Sequence, residues 1–327
     1  MHGLLWVAVK RDEILVSDSI ERALASEFML TRARHMKFWD TYEEISEKLG
    51  DEGIEFAAIK GVTNEARWYD EMGERPCRDV DIWIGPPQSD RFGEALHSLC
   101  PNHPLVRDIQ SLVDRDYVQG IDFHLSSGVS VDMHADLLKL GLPAETRLRC
   151  WAETQINDFG DMQLRVLSEG AVGFHSVVHG NVDTFSRLLG VAEFQRILDR
   201  SRLIATDIEP YAVSEGIRTP FVSSIHAIES ALETEISSAR SHLLPRLIWR
   251  TIWPSRIQLR GSEGDRRVLR RRLIQFFRFT AWLGLFGVHF KRLVPPDELL
   301  RYAYPLARGP YLWRVVRCRL EAMFDRS

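Results

Sequence analysis

Residues 78–84 read RDVDIWI, from Arg78 to Ile84, and set two aspartates one residue apart inside an otherwise apolar segment. Gly85, Pro86 and Pro87 follow at once, so the run has the length and the stop signal of a strand. On a strand, residues two apart point to one face. Asp79 and Asp81 therefore project together, while Val80, Ile82 and Ile84 pack on the other side. Two like charges on one face are costly unless a cation or a proton offsets them.

The flanking sequence supplies further elements. Upstream, Ile54–Lys60 (IEFAAIK) is an apolar run of strand length, and Gly61 opens a helical segment, GVTNEARWYDEM. Before that, Ser17–Leu49 carries helical spacing of apolar groups, with Gly50 and Gly53 as its stop. Downstream, SDRFGEALHSL reads as a helix capped by Ser89 or Asp90. From Val118 to Ala135, apolar and polar residues alternate on both sides of Ser126, Ser127 and Gly128, which is a hairpin pattern. On its second strand Asp132 and His134 share the face opposite Val131 and Met133. If that strand neighbours Asp79–Ile84, three carboxylates converge.

Past about Ser168 long helical patterns take over, punctuated by Pro254, Pro295, Pro296 and Pro305. The expected fold class is α+β: a mixed sheet with helices over residues 1–168, followed by an all-helical domain over 169–327.

Converging carboxylates suit Mg²⁺ or Mn²⁺, which take oxygen ligands together with substrate phosphates. A helix start at Gly61 offers backbone N–H groups to an anion, and Lys60 adds a positive charge beside it. Arg78 suits phosphate oxygens, or alternatively pairs with Glu74. His134 is expected to orient Asp132 by a hydrogen bond. His175 and His179 are spaced i and i+4, but no HExxH glutamate or third ligand accompanies them, so a packed or substrate-facing pair is the reading. Trp68 and Tyr69 read as packing residues.

The order of these elements resembles the uncharacterised nucleotidyltransferases of the polymerase β-like superfamily. The matching residues are IKG at Ile59–Gly61, Tyr69, Arg75, DVDIWI at Asp79–Ile84 and VDMH at Val131–His134. The helices LSEGAVGFHSVVHG and FSRLLGVAEFQRIL are also similar, with Glu193 where the family pattern has Asp. Lys-Gly replaces the wider superfamily's Gly-Ser after the first strand.

The resemblance implies a nucleotidyltransferase-like fold and transfer of a nucleoside monophosphate from ATP or another NTP. Asp79, Asp81 and Asp132 would be the metal-binding and catalytic carboxylates, with Asp132 either a ligand or the base. Lys60, Gly61, Arg75 and Arg78 would bind the nucleotide, with His134 behind the carboxylates. The acceptor is open: a saccharide, a peptide, a lipid-linked intermediate or another anionic substrate. RNA also remains, although no aromatic and basic recognition motif supports it.

Two rival readings make different demands. A DxD glycosyltransferase would place its DxD after a longer sugar-nucleotide region and needs no Asp132. A catalytically inactive binding protein would not need three costly charges.

Composition sets the outer bounds. The chain has 327 residues, 45% hydrophobic and 27% charged, so it belongs with folded proteins and not with disordered ones. Cys77, Cys100, Cys150 and Cys318 show no CxxC spacing, which points to a reducing, cytoplasmic setting. The N-terminal apolar run breaks at Lys10, and the longest later one, Phe279–Phe290, falls short of the roughly 20 residues of a spanning helix. The net charge of -4 conceals a split, because Arg246–Ser327 carries 18 basic against 6 acidic residues. Such a tail suits either solvated helix faces or an acidic partner.

Overall fold

A computed structural model describes residues 2–212, apart from 13, 116, 139–141, 143, 183–187, 202 and 204, together with Phe221 and Ile225. The chain divides into two compact units, residues 1–106, 119–140 and 147–168, and residues 107–118, 141–146 and 169 onward.

The first unit is built on a six-stranded mixed sheet. Its strands are β1 (Phe56–Ala58), β2 (Val80–Ile84), β3 (Gly120–His124), β4 (Ser130–His134), β5 (Gln155–Phe159) and β6 (Met162–Val166), in the spatial order β3-β4-β2-β1-β6-β5. β2 runs antiparallel to β1 and parallel to β4. The expected hairpin is β3–β4, turned at Gly128. All five residues of β2 are buried, which is why this segment reads as nearly continuous apolar sequence.

α2 (Asp18–Asp51) and α3 (Gly61–Trp68) lie against β2, and α1 (His2–Arg11) and α4 (Phe92–Leu99) pack on α2; α5 (Ile109–Asp114) and α6 (Ala144–Ala152) come later in the chain. α2 has 34 residues and buries Leu24, Phe28, His35, Phe38, Tyr42, Ile45 and Leu49, a stripe at three- and four-residue spacing that only a helix can present on one side. Asp18 and Glu21 occupy its first turn, where the helix dipole favours negative charge.

Several expected boundaries move, each for a local reason. Gly50 stays inside α2, and the chain turns instead at Gly53, whose φ is +63°. β1 is three residues long because the Ile54 N–H completes α2 on the Leu49 carbonyl and Lys60 departs from extended geometry. α3 stops at Trp68, where Tyr69 turns extended. Neither Ser89 nor Asp90 caps α4. A 3-10 turn over Pro86–Arg91 precedes it, Ser89 Oγ donates to the Pro86 carbonyl, and α4 begins at Phe92 without a side-chain cap. The β5–β6 hairpin, turned at Gly160, and helices α1, α5 and α6 are additions to the elements read from sequence.

Around Trp83 the packing is tight. The Trp151 ring meets it edge-on at 5.3 Å and lies where a Cβ on Gly85 would have to go.

The second unit contains α5 (Ile109–Asp114) and, past residue 168, α7 (Glu169–Val182), α8 (Leu188–Ser201) and α9 (Ala205–Ile208). Every described element past residue 168 is helical, as expected. Phe174 is fully buried and stacks on Tyr211 at 5.8 Å, and Gly170 leaves room for the Tyr211 ring. The basic segment from Arg246, Phe279–Phe290, Cys318 and the later helical patterns lie outside the described residues. Among the described residues Cys77, Cys100 and Cys150 form no disulfide, and no helix is long and apolar enough to cross a membrane.

Two glycines should respond oppositely to alanine. Gly50→Ala fills open space inside a helix and is expected to gain up to about 1 kcal/mol. Gly85→Ala drives a methyl into Trp151 and is expected to cost about 1–3 kcal/mol. Urea midpoints read both, and equal signs would contradict this packing.

Candidate active site

The parallel pairing of β2 with β4 makes Asp81 and Asp132 register partners. The antiparallel pairing of β3 with β4 then places Asp122 opposite Asp132. Side chains of register partners share a face, so three carboxylates form a row across three strands, with Asp79 one residue ahead of β2.

Two cationic or donor groups meet this row. Lys60 Nζ lies 3.1 Å from Asp81 Oδ1, and His134 Nε2 lies 3.3 Å from that same oxygen and 3.1 Å from Asp132 Oδ2. The imidazole thus touches Asp132, as expected, and Asp81 as well. Asp81 is only 5% exposed. Burial pushes its carboxyl upward, yet the Lys60 ammonium and the His134 hydrogen bond outweigh burial and hold it below the ordinary value. Asp79 receives less support, since the Lys60 ammonium lowers it only in part. Burial first, then the charges of Asp81 and Asp132, push it up to about 6.

Lys60 has φ 60° and ψ −153°, and it is the one non-glycine residue with positive φ among those described. Strain of this kind persists only where surrounding contacts hold it. Here Thr63 Oγ1 donates to the Lys60 carbonyl at 2.7 Å while the ammonium is fixed on Asp81. Gly61 also has positive φ, and a Cβ there would stand 3.6 Å from the Asp79 carbonyl and 4.0 Å from Asp81 Oδ2. The start of α3 is therefore held beside the carboxylates. Its first in-helix bond runs from the Asn64 N–H to Lys60, so the N–H groups of residues 61–63 precede the helical ladder.

The loop between α3 and β2 carries the arginines. Arg75 is buried, with Nη1 3.1 Å from Cys77 Sγ. Arg78 is exposed and forms no ion pair with Glu74, whose Oε2 accepts the Asp70 N–H. Trp68 is buried, in keeping with packing.

Four participants were not legible as such in the sequence. Asp122 had a signal, because IDFH in β3 repeats the D-x-H pattern of VDMH in β4. Tyr42, buried on α2, donates its hydroxyl to the Asp81 carbonyl at 3.0 Å. Glu65 and His35 form a buried contact at 2.6 Å. In the second unit, the rings of His175 and His179 stack at 5.4 Å.

Ligand atoms of Asp81, Asp132 and His134 lie within 4.8 Å of one another, and this is the one such group of metal-capable side chains among the described residues. Carboxylate oxygens with one imidazole nitrogen are a donor set for a divalent cation. Asp79 is raised first by burial and then by the charges of Asp81 and Asp132, and a cation among these carboxylates would offset the second of these, so the residues fit the group.

The model of a family described as uncharacterised nucleotidyltransferase matches residues 1–233. No curated protein and no solved structure matches the chain.

Asp79 ionises near pH 6 in the folded chain against an ordinary 3.8, so the folded state holds the extra proton between those values. Its contribution is stabilising below about pH 4 and is lost as pH rises through about 6. In EDTA, wild type should therefore lose stability relative to Asp79→Asn across that window, and parallel urea profiles would contradict it. At Lys60, glycine and methionine both remove the ammonium, but only glycine relaxes the backbone. Lys60→Gly is expected to exceed Lys60→Met by about 1–2 kcal/mol in urea unfolding.

Proposed function

Because the chain belongs to the uncharacterised nucleotidyltransferase family, we propose that it moves a nucleoside monophosphate from ATP or another NTP to an acceptor hydroxyl or phosphate. The observation that carries this reading is the register pairing of Asp81 with Asp132, beside a carboxyl at Asp79 raised to about 6. Placement in the polymerase β-like superfamily belongs to the same proposal, on the order IKG, RDVDIWI, VDMH. So does a catalytic domain over residues 1–168 with a helical domain after it.

The roles follow from chemistry. Asp81 and Asp132, with Asp79 beside them, would hold Mg²⁺ or Mn²⁺, and His134, whose nitrogen lies in the same cluster as Asp81 and Asp132, would be a further ligand or the group that orients them. A divalent cation bound there supplies charge neutralisation and alignment of the attacking and leaving oxygens. Lys60 and the N–H groups at the start of α3 cradle the phosphates. Arg78, exposed beside Asp79, adds a guanidinium, and Arg75 contributes its charge from within the same loop.

In the transfer, the acceptor oxygen forms a bond to the α-phosphorus, the bond between the α- and β-phosphates breaks, and pyrophosphate departs. The acceptor proton passes to a carboxylate, with Asp132 in that role. Positioning and electrostatics account for the rate. The acceptor is a saccharide, peptide, lipid-linked compound or RNA.

Calorimetric titration of Mg²⁺ with ATP, GTP, CTP and UTP, and with a UDP-sugar, tests the reading on wild type and Asp79→Asn/Asp81→Asn. Metal-dependent NTP binding that weakens at least about 100-fold in the double variant is expected. Binding of the UDP-sugar alone would replace nucleotidyl transfer by glycosyl transfer, and no nucleotide binding would remove the transferase reading.

A further inference from the structure

The loop of residues 69–79 joins α3 to β2, carries Arg75, Arg78 and Asp79, and contains neither helix nor strand. Its inward-facing amides need acceptors from elsewhere. Glu65, on the last turn of α3 and 3% exposed, provides them. Its Oε1 accepts the Gly73 N–H at 2.9 Å and the Arg75 N–H at 2.8 Å. Its Oε2 lies 2.6 Å from His35 Nδ1.

His35, on α2, is fully buried, and its Nε2 has no partner. The imidazole proton therefore belongs on Nδ1, donated to Glu65, because an unpaired buried N–H costs more than a bare nitrogen lone pair. One carboxylate thus ties α2, α3 and the loop together. Accepting from residues 73 and 75, two apart, it treats the loop as a neighbouring strand would.

The loop has little room to settle differently. Gly73 has φ +101°, and a Cβ there would stand 3.1 Å from the Phe28 carbonyl oxygen and 3.2 Å from the Arg32 Cβ. On the other side Gly3 of α1 abuts the carbonyls of Gly73 and Glu74. Arg75, whose amide Glu65 holds, is four residues from Asp79, so slack at the first is passed on to the second through at most about 14 Å of chain.

We propose that Glu65, backed by His35, is a positioning residue for the site: its buried carboxylate sets the loop that presents Arg75, Arg78 and Asp79. Sealed from solvent, it does not touch substrate. A buried carboxylate is a costly way to hold a loop, and what it returns is a fixed direction for two backbone N–H groups. The consequence for nucleotide binding rests on the transferase reading, while the clamp itself does not.

The experiment compares Glu65→Ala, Glu65→Gln, His35→Phe and the core control Leu96→Ala in the full chain. Leu96 is fully buried on α4, so its truncation lowers stability without touching the loop. Amide hydrogen exchange at Gly73 and Arg75 is read without metal, and calorimetry then reads affinity for Mg²⁺·ATP, or for whichever NTP wild type binds.

Glu65→Ala is expected to speed exchange at both amides by about 10-fold or more and to weaken nucleotide binding by about 10–100-fold. Glu65→Gln keeps one oxygen for the two amides but sets its NH2 against the Nδ1–H of His35, so it is expected to fall between wild type and Glu65→Ala in both. His35→Phe should shift both readouts in the same direction but less. Leu96→Ala should lower the urea midpoint and leave both unchanged. Unaltered exchange at Gly73 and Arg75 in Glu65→Ala and in His35→Phe overturns the proposal, as does an affinity loss in Leu96→Ala equal to that in Glu65→Ala. If wild type binds no nucleotide the transferase reading falls, and the exchange data still decide the clamp.

Discussion

The parallel pairing of β2 and β4 in one register is the constraint on which the rest depends. Sliding β4 by one residue would turn Asp132 and His134 to the opposite face and bring Val131 and Met133 to theirs. In the observed register a buried carboxylate at Asp81 faces a second at Asp132, with Asp122 beyond. The apolar face of Val80, Ile82 and Ile84 fixes that register, and the charges follow from it. The sheet's central strand is thus assembled by hydrophobic burial on one side and yields an electrostatic concentration on the other.

That concentration is balanced asymmetrically. Asp81 receives Lys60 and His134 and stays ionised. Asp79 is raised by its burial and then by the repulsion of its neighbours, with partial relief from Lys60. The backbone around the site carries part of the cost, in a positive-φ lysine whose ammonium nevertheless reaches Asp81. Glycine would fit this φ without strain, so the lysine trades backbone comfort for charge. Gly61, immediately after it, lets α3 begin within van der Waals range of the carboxylates.

Elements were legible in the sequence where period and punctuation agreed. The stripe of α2, the strand at RDVDIWI and the β3–β4 hairpin around Gly128 carried their own signals. The sharing of a face by Asp132 and His134 needed only the two-residue period of a strand. The neighbouring of β2 and β4 was a condition that sequence posed and structure answered.

What stayed hidden depends on contacts between distant segments. Glu65 reads as an ordinary helix surface residue until the loop after α3 folds back on it, and His35 looks no different from other polar positions of α2. The β5–β6 hairpin alternates weakly, since four of its ten residues are exposed and only Leu164 and Val166 are buried. The cap at Ser89 failed because Pro86 and Pro87 favour a 3-10 turn that spends the serine hydroxyl on a carbonyl.

The parallel pairing has a further consequence while the chain is being made. β4 lies far downstream of β2, and at about 5–20 residues per second its arrival lags by several seconds. During that interval VDIWI can pair with β1 but shows an open edge to the medium, and an apolar segment rich in β-branched and aromatic residues is a template for other chains. Asp79, just before this segment, and Asp81 within it place two charges at its start. The two carboxylates that the finished sheet must compensate therefore act, before the sheet closes, as guards against aggregation.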